Sequence, residues 1–151
     1  MKLTEVFTKP KGKVKWTSKS STKWEGTFAV EDRVFEFRAT LGKADESMVY
    51  PVKLSKEELE EVWELQFVQK WPDYSLEITG GGKPIEVFNK ALVAVKEFIK
   101  RQKPKYINFS AKEANRMKLY NAMVKKLSTG LGYKPLLAKG GNYLLQSKRA
   151  K

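Results

Sequence analysis

Two segments of the chain repeat apolar side chains at helical spacing. Ile85, Phe88, Leu92, Val95 and Ile99 step by three and four residues, and so do Met117, Tyr120, Val124 and Leu127. A period near 3.6 puts each set on one face, which predicts two amphipathic helices packed on a sheet. Their ends carry matching signals. Pro84 suits a first helical turn, Lys100 and Arg101 lie at the end favoured by the helix dipole, and Pro104 stops the first helix. Ser110 and Glu113 make an S-x-x-E capping box before the second helix, and Gly130 and Gly132 close it.

Elsewhere the period is two. Trp63, Leu65 and Phe67 alternate with Glu64 and Gln66, predicting a half-buried strand over 62–69. Tyr74, Leu76 and Ile78 predict another over 74–79, after a turn at 70–73. Phe28 and Val30, then Val34, Phe35 and Phe37, predict a β-hairpin within 24–41 that turns at Glu31, Asp32 and Arg33. Tyr106, Ile107 and Phe109 read as a short buried strand, and 133–137 and 142–146 as a closing pair joined across Gly140 and Gly141. Ser55 and Glu58 form a second capping box, so a short helix is predicted to start at Lys56, preceded by an extended piece over 48–52. The sum is an α+β chain with a mixed, mostly antiparallel sheet and two main helices.

Composition narrows the chemistry. At 151 residues with 41% hydrophobic content, the chain is expected to make one domain over 24–147, with a basic flexible arm at 1–23 and a basic tail at 148–151. A short strand is expected in the arm around 14–17. There is no cysteine and no histidine. Disulfides, thiolate metal sites and histidine-dependent triads are therefore excluded, and no carboxylate cluster has metal-loop spacing. No run is long and apolar enough for a membrane helix, and the expected location is the cytoplasm. The charge is unevenly placed. Residues 1–24 carry seven Lys and one Glu; residues 25–99 carry nine basic and fifteen acidic side chains; residues 100–151 carry fourteen basic and one acidic. A polarity of this kind suits an anionic partner for the C-terminal half: nucleic acid, a nucleotide-like cofactor or an acidic protein.

The one anion-binding turn is Thr79-Gly80-Gly81-Gly82-Lys83-Pro84, between a predicted strand and a predicted helix. It lacks both the Walker pattern and G-x-G-x-x-G. The order of hairpin, two strands, glycine turn, helix, strand, helix and closing pair, together with Leu119-Tyr120 and Gly132-Tyr133, resembles the GNAT (GCN5-related N-acetyltransferase) fold over about residues 62–135. The wording NFSAKEANRMKLYNAMVKKL is also similar to uncharacterised bacteriophage proteins with a GNAT-like fold, which implies a host-cytoplasm setting. The resemblance implies acetyl-coenzyme A as cofactor. Its pyrophosphate would lie on Gly80, Gly81, Gly82 and Lys83, although the family's turn reads Arg or Gln, two variable residues, Gly, one variable residue, then Gly or Ala. It implies Tyr120 as the acid that protonates the departing thiolate. It also implies a carboxylate base, Glu64 or Glu77, at strand positions beside a splayed pair of strands.

A different reading comes from cations interleaved with rings. Lys100, Arg101, Lys103 and Lys105 precede Tyr106, and Arg116 and Lys118 precede Tyr120. Cations for phosphates and rings for stacking make a nucleic-acid surface, here without any RNP, helix-turn-helix or zinc-finger signature. Two functions are therefore expected from the sequence. One is an N-acyltransferase using acetyl-coenzyme A. The other is a non-catalytic GNAT-like phage protein that binds nucleic acid or an acidic host protein through its basic C-terminal half.

Overall fold

The computed structural model describes residues 14–31, 33–44, 46–71, 84–110, 114–139 and 141–149. In chain order these form β1 (Lys15–Lys19), β2 (Lys23–Val30), β3 (Arg33–Leu41), α1 (Glu46–Val49), α2 (Lys56–Leu59), β4 (Val62–Trp71), α3 (Pro84–Gln102), β5 (Tyr106–Ser110), α4 (Ala114–Gly130), β6 (Tyr133–Lys139) and β7 (Asn142–Ser147). The strand predicted over 74–79, with Glu77, Gly80, Gly81, Gly82 and Lys83, lies outside the described residues.

The seven strands make one sheet in the order β1-β2-β3-β4-β5-β7-β6. Every neighbouring pair is antiparallel except β4 and β5. A parallel pair needs a crossover, and the chain between β4 and β5 contains α3. The fold is thus α+β with a mostly antiparallel sheet, as the periodicities predict.

One face of the sheet carries an aromatic layer under the two long helices. Phe37 pairs with Phe67 across β3 and β4, and Trp63 pairs with Ile107 across β4 and β5. Phe98 of α3 meets Trp63 at 4.9 Å, Trp24 at 5.5 Å and Phe37 at 5.8 Å between ring centroids. The buried face of α3 is wider than its large apolar residues predict. Leu92 and Val95 are buried and Phe88 and Ile99 pack at the margin, but Ile85 is 76% exposed, and Val87, Ala91, Ala94 and Phe98, all 2% exposed or less, belong to the buried face. The two alanines let the helix backbone come close to the ring layer, which widens the buried face beyond the three-four repeat. The stripe of α4 agrees better with expectation, since Tyr120, Val124 and Leu127 are buried and Met117 packs at the margin.

The opposite face is covered at one end by the segment holding α1 and α2. Ala44 and Val49 join Val62, Tyr106 and Leu144 in a second core. The region predicted as extended over 48–52 is helical through Val49, because Val49 is drawn into this core from a single turn of helix. The capping box at Ser55 forms as expected: the Ser55 hydroxyl accepts from the Glu58 N–H (3.1 Å), and Glu58 accepts from the Ser55 N–H (2.8 Å). The Tyr106 hydroxyl adds a bond to the same carboxylate at 2.9 Å. The bonds from Ser55 and Tyr106 hold the Glu58 carboxyl below its usual pKa.

The short strand expected around 14–17 forms as β1, at one edge of the sheet. Trp16 faces Gly26 across the β1–β2 pair, and its ring stands edge-on to Trp24 at 5.0 Å. A Cβ at Gly26 would meet the Trp16 ring at 2.6 Å and Val14 at 2.7 Å, so the missing side chain makes room for the tryptophan. Gly26→Val is accordingly expected to lift β1 off the sheet edge and to lower stability by roughly 1–3 kcal/mol. Urea unfolding checks the loss, and Trp16 fluorescence, read in a chain whose other tryptophans are replaced by Phe, checks the undocking.

Candidate functional site

The parallel ladder between β4 and β5 is short. It runs from the Val62–Tyr106 pair to the Leu65–Phe109 pair. β5 then ends at Ser110 while β4 continues to Trp71, so beyond that point the β5-side edge of β4 has no strand partner among the described residues. Tyr120 fills that position from α4. Its hydroxyl accepts the Phe67 N–H at 3.1 Å, taking the place of a strand carbonyl. Its ring lies 4.9 Å from Phe109 and 6.3 Å from Phe67, and the residue is fully buried.

The other candidate residues are distributed differently. Glu64 stands between Thr40 and Asn108 in the register, on the face opposite the Trp63, Leu65 and Phe67 layer. The sheet thus separates its carboxylate from the helix that carries Tyr120. Asn108 beside it is fully buried, and neither its amide nitrogen nor its carbonyl oxygen has a hydrogen-bond partner among the described residues. Lys118 is exposed on α4, and the Arg116 side chain lies outside the described residues. Among the described residues, no three His, Cys, Asp or Glu side chains gather to hold a metal ion, and no helix is long and apolar enough to cross a membrane.

Three of the predicted nucleic-acid residues do come together. Lys100, Lys103 and Lys105 line a cavity of about 460 Å³ with Arg149, Ser147, Ile99, Leu131, Gly132 and Tyr133. It lies where both long helices end and where β5 and β6 begin. Its walls are tied by main-chain geometry. Lys103 adopts a left-handed φ of 50°, and its N–H donates to the Ile99 carbonyl at 2.8 Å, which caps α3 and turns the chain at once. Gly132, at φ 81°, turns the chain after α4, and its carbonyl accepts from the Lys148 N–H at 2.8 Å. The Ser147 N–H donates to the Lys105 carbonyl at 2.9 Å. The Tyr133 hydroxyl donates to the Pro104 carbonyl at 2.6 Å, and burial pushes that phenol far above its usual pKa. Tyr133 therefore acts as a neutral strut between β6 and the end of α3.

The charge at this cavity exceeds what the fold itself neutralises. Lys105 pairs with Glu61 at 3.2 Å, but Lys100, Lys103 and Arg149 have no ion pair among the described residues. A helix C-terminus carries about half a negative charge, so the two helix ends together offset about one of these three cations. An excess of about two positive charges faces a concave surface whose floor is apolar.

Arg149 is the member that sequence reasoning assigned only to a loose basic tail. No local pattern marks it, because it reaches the cavity through the β5–β7 pairing, which sets Gln146 opposite Tyr106. Arg101 is exposed on the last turn of α3 and does not line the cavity. Lys118 lies twelve residues before the end of α4, which is about 18 Å along the helix. The searches against protein-family models, curated proteins and solved structures returned no match.

Tyr120→Phe leaves the Phe67 N–H buried without its acceptor while keeping the ring. It is expected to cost about 1–3 kcal/mol in urea unfolding, with the far-UV spectrum unchanged. A cost near zero would mean that the hydroxyl does not serve as the missing strand carbonyl.

Proposed function

We propose that this protein binds nucleic acid through the basic surface centred on Lys100, Lys103, Lys105 and Arg149. The observation that carries the reading is the convergence of these four cations around one cavity, where Lys105 pairs with Glu61 but Lys100, Lys103 and Arg149 have no ion pair among the described residues. Unpaired cations held close together repel one another, and a phosphate backbone removes that cost while releasing its own counterions. Arg101 adds a further exposed cation on the last turn of α3, outside the cavity lining. The polarity of the sequence supports this reading, since the acidic side chains are concentrated before residue 100.

A GNAT-like N-acyltransferase is the second reading. It is favoured by the β4–β5 parallel pair, the α3 segment between them and the abrupt end of their ladder after Leu65 and Phe109. On this reading acetyl-coenzyme A would lie at that divergence, held by Gly80, Gly81, Gly82 and Lys83. Tyr120 would be the acid and Glu64 or Glu77 the base. It ranks second because the Tyr120 hydroxyl is enclosed and accepts a main-chain N–H, and because Glu64 belongs to the other face of the sheet.

Single-stranded DNA and RNA are expected to bind at low ionic strength. With three phosphates neutralised, the slope of log K against log salt should be about −2. Lys100→Glu with Lys103→Glu should weaken binding more than roughly tenfold and flatten that slope, measured by fluorescence anisotropy. Strand binding that ignores both salt and these substitutions would remove the first reading. Calorimetric titration with acetyl-coenzyme A tests the second: micromolar binding lost in Gly81→Glu would put the acyltransferase ahead.

A further inference from the structure

We infer that the cavity between the two helix ends is an end site, which takes the terminal phosphomonoester of a nucleic-acid strand with its adjoining nucleotide. The inference rests on the nucleic-acid reading and adds which part of the strand is held.

Shape is the first argument. A backbone lying across a surface needs a track of cations and no hollow. Here the cations rim a concavity of about 460 Å³, within the range of roughly 300–1,000 Å³ usual for small-molecule pockets. Charge is the second. A phosphodiester inside a strand carries one negative charge, whereas a terminal monoester carries about −1.5 to −2 at neutral pH. The excess of about two positive charges left by Lys100, Lys103 and Arg149, after the helix ends are counted, matches the monoester.

The lining chemistry is the third. Two ammonium groups, a guanidinium able to bind two phosphate oxygens and the Ser147 hydroxyl supply donors at the rim. Ile99 and Leu131 are half-buried beside the Tyr133 ring and supply an apolar floor for the sugar and base of one nucleotide. Rigidity is the fourth. The Tyr133–Pro104, Gly132–Lys148 and Ser147–Lys105 bonds fix the walls before any ligand arrives, so little ordering is needed on binding.

The test compares ten-nucleotide single strands that carry a 5′-phosphate, a 3′-phosphate or hydroxyl groups at both ends, each with an internal fluorophore. One phosphorylated end should bind roughly tenfold tighter than the hydroxyl-ended strand, since one more charge-assisted contact is made. Lys103→Gly and Arg149→Gln should each erase that preference. Lys103→Gly is the safer variant for folding, because glycine adopts the left-handed φ of residue 103 without strain. Equal affinity for all three strands, or variants that weaken all three alike, would overturn the end site and leave the nucleic-acid reading standing. If no strand binds but adenosine monophosphate shifts the amide resonances of Ser147 and Arg149, the nucleic-acid reading falls and the cavity stands as a phosphomonoester site. If neither strands nor the mononucleotide binds, both fall.

Discussion

The packing of Phe98 against Trp24, Phe37 and Trp63 is the contact on which the rest of the structure depends. One side chain of α3 reaches residues of β2, β3 and β4, and Ala91 and Ala94 allow the helix to sit low enough for it to do so. Aromatic pairs at these distances add to the large area they bury. With α3 anchored there, the chain leaving it re-enters the sheet beside β4 and parallel to it. Lys19 to Glu97 and Gln102 to the Ser20 carbonyl then tie the same helix to the far edge of the sheet.

That direction decides where chemistry can occur. β4 and β5 are parallel, so α3 runs back along the sheet and ends where β5 begins. α4 leaves the other end of β5 and runs back to the start of β6 in the same sense. Both helix C-termini therefore reach one end of β5, and the cations that complement their dipoles gather around a single hollow. The divergence filled by Tyr120 belongs to the other end of β5. Five strand residues separate the two, about 17 Å of extended chain. The basic cavity and the strand divergence are thus separate features, at opposite ends of β5.

Much of the fold was legible because its signals are local. The capping box at Ser55, the alternation around Trp63, the stop at Pro104 and the turn near Gly141 each act within a few residues. The features that were not legible share a cause. The buried face of α3 is wider than its three-four repeat, because Ala91 and Ala94 carry little hydrophobic signal and yet set the approach distance. α1 was missed because a single turn of helix is held by Val49 reaching a distant core. The short strand expected around 14–17 does form, as β1, but its docking on the sheet edge rests on Trp16 lying over a glycine ten residues away, a contact that no local period records.

The sequence by itself determined the elements, their amphipathic character and the uneven charge, since these follow from spacing and composition along the chain. It also singled out Lys100, Lys103 and Lys105, which lie close together on the chain. Only the tertiary structure decided that Arg149 joins them, that Tyr120 accepts a main-chain N–H inside the core and that Glu64 belongs to the opposite face. Those facts depend on strand order and on which way each pleat turns. Both are fixed by packing between residues dozens of positions apart, and no local period records them.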